Sequence, residues 1–324
     1  MTDYPTNKKS SKKPVWAKVE RARKWRGVLA IFICIFLGFF IANGILRAFS
    51  FKNDIVASKW NDSMPYAAAV NTKIPSVVVF NKDVGEVVVL VVPGDITVGE
   101  DGTVSDAVDS GPQLSSGLTR ALGLDIKNYV MLKNSVDVDV TTLEKAYGDF
   151  ASISTLFRII TVGKGAGVGS TNITRIDLLR LWWQVKSSGI KTPKIIDLEQ
   201  FLVVGPGNQK SLDRELFHST VDKYFEIRGV RDQNIKLEIK NSSGVVGAGQ
   251  IASEIASSMG YNVIRVETGE AETAQCHISG GPRNTAARSY LANIFGCDIV
   301  FQSQGTQTAP IMVDLGSDFA KRLF

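Results

Sequence analysis

The distribution of apolar positions divides the chain into three stretches of different character. From Gly27 to Leu46 no charged residue interrupts 20 positions (Gly27-Val28-Leu29-Ala30-Ile31-Phe32-Ile33-Cys34-Ile35-Phe36-Leu37-Gly38-Phe39-Phe40-Ile41-Ala42-Asn43-Gly44-Ile45-Leu46), a run long enough for a helix to cross a bilayer core of about 30 Å. Residues 47–73 carry little periodicity and read as a stalk. Two β-branched runs follow, Ser76–Phe80 and Glu86–Val92, joined by a short polar turn containing Gly85. They predict a hairpin, and their nearly continuous apolar character predicts cover on both faces. Residues 99–116 are rich in Gly, Ser and Asp and read as a loop. Helical spacing predicts helices over Ser116–Leu122, over Val140–Tyr147, from Thr174 with Asp177 as its capping-box partner, and over Leu212–Phe225 with Leu212, Leu216, Val221 and Phe225 on one face.

The last 90 residues are the most legible. Ile235–Lys240 alternates as a half-buried strand should. A turn at Asn241–Gly244 leads to a helix over Ala248–Met259, with Ile251, Ile255 and Met259 on one face and Gly260 as its stop. Strands at Asn262–Val266 and Gln275–Ile278, a helix at Asn284–Phe295 with Ala287, Leu291 and Ile294 on one face, and strands at Asp298–Phe301 and Ile311–Leu315 complete the order βαββαββ. The fold class expected is α/β (α+β): an N-terminal transmembrane helix, an α/β ectodomain, and a small βαββαβ sandwich with both helices on one face. The divisions expected are a tail at 1–26, a membrane helix at 27–46, a stalk at 47–73, a domain at 74–228 and a terminal module at 234–324.

Charge sharpens the first division. The 324-residue chain has a formal charge of +5. Residues 1–26 hold nine cations against two anions, a net +7, which leaves the remainder at −2. The basic pI therefore belongs to the tail, and the folded part has no bias toward nucleic acid. Cations on one side of the apolar run place the N-terminus in the cytoplasm and the rest outside, in a single pass of the plasma membrane. A cleaved signal peptide is the rival; the long apolar run and the lack of an A-x-A-like site oppose it. Cys34 lies in the run; Cys276 and Cys297 lie beyond it. A disulfide between them is chemically open, but the expected layout puts the first strand between their strands, which favours two buried thiols.

Three places in the last segment carry a family resemblance: Ile239-Lys240-Asn241-Ser242-Ser243-Gly244-Val245-Val246-Gly247-Ala248, Ala286-Ala287 to Leu291-Ala292, and Val313-Asp314-Leu315-Gly316-Ser317-Asp318-Phe319. Residues 234–324 resemble a LytR C-terminal domain. Upstream, Val91-Val92-Pro93-Gly94-Asp95 stands where the LytR–CpsA–Psr domain runs a strand into proline-arginine-aspartate, and Tyr129-Val130 and Leu143–Phe150 fit its next elements. Residues 75–225 thus resemble a diverged member. The resemblance implies an extracytoplasmic envelope protein with a cell-wall glycopolymer or envelope protein as partner. In the family it implies magnesium-dependent transfer of a lipid-linked glycopolymer to peptidoglycan, which needs arginines on a pyrophosphate and carboxylates on the metal.

The departures weaken that activity. Gly94 replaces the arginine, the Ser76–Asn81 strand lacks the expected arginine–aspartate element, and nothing in the sequence gathers Arg120, Arg158, Arg175 and Arg180. Asp95 remains as the sole catalytic candidate, with turn capping as its simpler role. No cofactor is expected, and magnesium only under the transferase alternative. Asn241, Gly244 and Gly247 are candidate ligand contacts through backbone N–H groups at a helix start; shaping the turn is their simpler role. The glycine-rich stretch Gly163–Ser170 fits no nucleotide-loop spacing. His218 and His277 suit no zinc spacing, and no nucleophile elbow is present. Trp182 and Trp183 point apart on their helix; both read as core, with one a candidate sugar platform. The function expected is a non-catalytic module binding wall polymer or an envelope partner, with no nucleic acid.

Overall fold

The computed structural model describes residues 60, 64–98, 102–162, 164, 167–188, 193–205, 210–281, 284–300 and 310–324. The expected membrane helix at 27–46 and the basic tail lie outside them; among the described residues no helix is long and apolar enough to cross a membrane. All of them belong to one compact unit, Ala57–Phe324.

The first sheet is built from β1 (Tyr66–Val70), β2 (Ser76–Asn81), β3 (Glu86–Val91), β4 (Asn128–Leu132), β5 (Val168–Thr171) and β6 (Lys194–Asp197), in the order β5-β4-β1-β2-β3-β6. The hairpin β2–β3 forms as its pattern predicts, turning at Gly85 with φ +70°. Four helices accompany this sheet: α1 (Gly111–Leu122), α2 (Val140–Phe150), α3 (Ile153–Val162) and α4 (Arg175–Ser188). Val77, Val79, Val88 and Leu90 face Leu114, Leu118 and Leu122 of α1. Phe80 and Val87 face Ile159 of α3 and Leu178, Trp182 and Val185 of α4. Cover on both faces is the physical reason these strands carry no alternation.

Four readings need correction. The stalk expected at 47–73 contains β1, which pairs antiparallel with β2 and parallel with β4 at the centre of the sheet. Its Tyr-Ala-Ala-Ala-Val run lacks the bulky β-branched residues that mark a strand; burial between two helical layers selects the small side chains. The loop expected at 99–116 already contains the first turns of α1, whose Ser110 hydroxyl accepts from Gln113 N at 3.4 Å with Pro112 in the first turn. Past β6 come β7 (Leu202–Val204), β8 (Lys210–Leu212), α5 (Arg214–Val221) and the single turn α6 (Arg228–Arg231). The helix expected over 212–225 is α5, capped by Asp213 and continued by a 3-10 turn at Asp222–Tyr224; Leu216 is 49% exposed, and Phe217, Val221, Tyr224 and Phe225 are the buried set. Trp182 is core, but Trp183 is 65% exposed.

The C-terminal module comprises β9 (Lys236–Asn241), α7 (Ala248–Ser258), β10 (Asn262–Thr268), β11 (His277–Ser279), α8 (Thr285–Phe295), β12 (Asp298–Ile299), β13 (Ile311–Leu315) and a closing helix, α9 (Ser317–Leu323), that the pattern did not announce. Its sheet runs β10-β9-β13-β11-β12. Ala252, Ile255 and Met259 of the first helix segment and Ala287, Leu291 and Ile294 of α8 meet Leu237, Ile239, Ile278 and Val313 in one core, so both helices cover one face as expected. Here the strand order overturns the thiol reading. β11 and β12 are parallel neighbours, His277 opposite Asp298, which sets the preceding cysteines side by side. Cys276 and Cys297 form a buried disulfide with Cα atoms 4.6 Å apart.

Candidate functional site

The loop after β3 carries Gly94 and Asp95. Its backbone is stitched to β8 and to the 3-10 turn at Val104–Ala107: Thr97 N donates to Lys210 O at 3.2 Å, and Ser105 N donates to Gly94 O at 2.9 Å. That packing fills the space beside Gly94, where a Cβ would overlap the Ser105 hydroxyl. The Asp95 carboxylate receives Lys210 Nζ at 2.6 Å. The hydrogen bond from Lys210 holds this carboxyl below the usual aspartate range. Asp95 therefore has a lysine partner where a metal-binding role would need a second carboxylate. Among the described residues no group of three or more His, Cys, Asp and Glu is placed to hold a metal. The described residues do not fit a magnesium site.

The arginines are distributed. Arg120 lies on α1 with its guanidinium 5.6 Å from the centroid of the Phe324 ring, and burial lowers its pKa. Arg158 stands exposed on α3. Arg175 and Arg180 are on α4, and Arg180 donates to Trp60 O. None of the four lines the cleft beside Trp60 or the one beside Asn81 and Arg228, nor does Asp95.

At the start of α7, Asn241 folds the turn on itself. Its Nδ2 donates to Val245 O at 2.9 Å, and its Oδ1 accepts from Ser243 N at 3.2 Å and Ser243 Oγ at 2.6 Å. Gly244 and Gly247 have φ of +78° and +83°, a region that side chains rarely adopt. A Cβ on Gly244 would sit 2.7 Å from the Glu272 carboxyl carbon. A carboxylate against the turn opposes an anion at this helix start. His218 is paired through Nδ1 with Asp222 at 2.7 Å, and His277 lies on β11.

The structure assembles a different constellation, at the ends of β1, β4 and α4 and beside α8. A cleft of about 270 Å³ is lined by Trp60, Tyr66, Asp125, Asn128, Asn172 and Asp177, among others. Trp60 Nε1 donates to Met64 O at 3.0 Å, and its ring meets Tyr66 edge-on at 5.0 Å between centroids. Asn128 donates to Ala67 O at 3.0 Å, and Asn172 bridges Tyr129 N (2.9 Å) and Lys127 O (2.8 Å). Thr174 and Asp177 make the expected cap, Thr174 Oγ1 donating to Asp177 Oδ2 at 2.8 Å. Lys127 Nζ lies 3.5 Å from Asp125 and donates to Asn293 O of α8 at 2.6 Å. Sequence reasoning found only Thr174 and Asp177, and as a cap. The other residues are single polar positions at element ends, with no spacing to unite them.

Asp125 yields a test. Burial pushes its carboxyl above the ordinary range, with Lys127 acting against the rise. A raised folded-state pKa means that the folded protein holds the proton more tightly. The stabilisation is complete below the ordinary carboxylate range near about 4 and is lost as pH rises through the raised value. Asp125→Asn is expected to raise the urea midpoint at pH 8 and to flatten its fall between pH 4 and 8. An unchanged pH profile would contradict the burial.

No protein-family model and no curated protein matches the chain. Solved structures overlap it in part. TagV of Bacillus subtilis aligns with a TM-score of 0.36 and 13% identity, covering 50% of this chain and 97% of that one. The LytR-CPS2A-psr family protein YwtF (TagT), with bound octaprenyl pyrophosphate lipid, aligns with a TM-score of 0.34 and 11% identity over 52% of this chain and 93% of that one. TagT bound to LIIa-WTA gives 0.22 and 12% over 74% of this chain and 94% of that one. These are partial overlaps of low identity.

Proposed function

We propose that this is a membrane-anchored extracytoplasmic protein of the cell envelope that holds wall polymer or an envelope partner and does not catalyse transfer. The observation that carries the proposal is the state of the clamp position. Gly94 stands where the resembling family has arginine, the space beside it is packed by Ser105, and Asp95 is paired with Lys210. A pyrophosphate needs converging cations there, and the four candidate arginines stand on three separate helices, α1, α3 and α4. The Cys276–Cys297 disulfide supports placement on the oxidising side of the membrane, in keeping with the basic tail before the apolar run. The sequence likeness of residues 234–324 to a LytR C-terminal domain supports the envelope assignment.

The test is binding of a polyprenyl-pyrophosphate analogue to the full chain in nanodiscs, with and without magnesium. The expected result is no magnesium-dependent binding, with Asp95→Ala indistinguishable from the wild type. Magnesium-dependent binding that Asp95→Ala abolishes would overturn the proposal in favour of a transferase.

A further inference from the structure

We propose that the outward side of α3 and α4 rests on the bilayer, so that the folded part lies against the membrane surface rather than standing off from it. This rests on the membrane-anchored reading and adds to it a docking surface whose partner is anionic lipid.

The first observation is an apolar stripe on the outer side of a helix. α3 buries Ile159 against Phe80, Val87 and the inner side of α4. Ile153, Phe157 and Ile160 fall at i, i+4 and i+7, which places them together about 120° around the helix from Ile159. They are 64%, 63% and 46% exposed. α4 repeats the arrangement: Leu178, Trp182 and Val185 are buried, while Trp183 and Arg180 face outward. The two helices pack side by side on one face of the sheet, with Trp182 Nε1 donating to Ser152 O at 3.1 Å. Their outer sides therefore form one surface. Large apolar side chains grouped on such a surface mark an interaction site, and a helix lying in a membrane interface presents this pattern.

The second observation is charge. Residues 151–188 hold five cations against one anion, the buried Asp177, a net +4, which leaves the rest of residues 27–324 at −6. Positive charge is thus concentrated on the layer that carries the stripe. α3 has the exposed Arg158 as its one charged residue. Anionic headgroups attract this layer and repel the remainder, which fixes the orientation. A second copy of the same layer would set +4 against +4, so lipid is the better partner than self-association.

The third observation is where the chain joins the fold. Trp60 packs on this same layer, and Arg180 donates to its carbonyl. Thirteen residues, 47–59, separate Leu46 from Trp60, a reach of at most about 50 Å when fully extended. An anchored chain can therefore bring the stripe to the bilayer without unfolding anything.

The experiment uses the full chain with Cys34→Ser, which leaves no free thiol, and a bimane fluorophore attached at Ile160→Cys or, as the control, at Val246→Cys in the C-terminal module. The proteins are placed in phosphatidylcholine nanodiscs with and without phosphatidylglycerol, each with and without nitroxide-labelled phosphatidylcholine. Loss of emission to the nitroxide lipid is expected at position 160, none at position 246, and less at position 160 when phosphatidylglycerol is left out. Arg158→Gln is expected to lower the docked-to-undocked ratio about fivefold, the effect of one cation near an anionic surface, with Tm unchanged because Arg158 is exposed. Phe157→Glu is expected to abolish the quenching. Emission at position 160 that ignores the nitroxide lipid, or equal quenching at positions 160 and 246, would overturn the docking. So would shielding from aqueous iodide without quenching by lipid, which would mean that protein covers this face. If the chain still co-purifies with the nanodisc in those cases, the anchored reading survives; a chain that does not enter the nanodisc ends both.

Discussion

Phe319→Ala is expected to destabilise the protein by about 3–5 kcal/mol, the range for a buried aromatic cut back to its Cβ. Phe319 is 3% exposed and meets the buried Phe295 ring edge-on at 5.4 Å. The helix that carries it, α9, is tied down at several points. Asp318 Oδ2 accepts from Cys276 N at 3.1 Å, and Arg322 donates to Phe295 O. Its far end reaches the upstream half of the unit, where Arg120 of α1 stacks on Phe324. The cavity would therefore open in the core of the C-terminal module, among Phe295, Leu291 and Leu315. A urea titration followed by tryptophan fluorescence measures the loss. Val246→Ala, at a residue 93% exposed, is the control and should change the midpoint by less than about 0.5 kcal/mol. A loss below about 1 kcal/mol for Phe319→Ala would mean that α9 is not docked as described.

Reducing the Cys276–Cys297 bond is expected to cost about 3 kcal/mol, since the cross-link spans 21 residues and loop-closure entropy of that order is what it removes from the unfolded chain. The pair Cys276→Ser with Cys297→Ser should show the same shift without reductant. The chain has three cysteines, so unfolding it without reductant should expose one reactive thiol, that of Cys34. Three thiols in protein isolated under non-reducing conditions would contradict both the bond and the oxidising location that it supports.

What was legible in the sequence follows a physical rule. The β2–β3 runs and Leu237/Ile239 were readable because local composition reports directly how many faces of a strand are covered. The faces of the two C-terminal helices were readable for the same reason. β1 was not, because an alanine run says nothing local about strand pairing; neighbours on both sides determine it. The disulfide was missed because the order of strands in a sheet is a tertiary fact. Once β11 and β12 are parallel neighbours, Cys276 and Cys297 must adjoin. Asp95 was visible as a residue, but its Lys210 partner arrives from a strand 115 positions later in a separate two-stranded ribbon. The cleft was illegible for the most general reason: Trp60, Tyr66, Asp125, Asn172 and Asp177 each come from a different element end or loop.

In its wall-polymer form, the central claim is that the folded part retains polymer without transferring it. The most direct measurement is co-sedimentation of the full chain in nanodiscs with purified cell-wall sacculi, with polymer-stripped sacculi alongside and the supernatant assayed for newly attached polymer. The account predicts saturable binding to intact sacculi and no attachment of polymer from a lipid-linked donor, with or without magnesium. Failure to bind either preparation, or polymer attached in a magnesium-dependent manner, would contradict it.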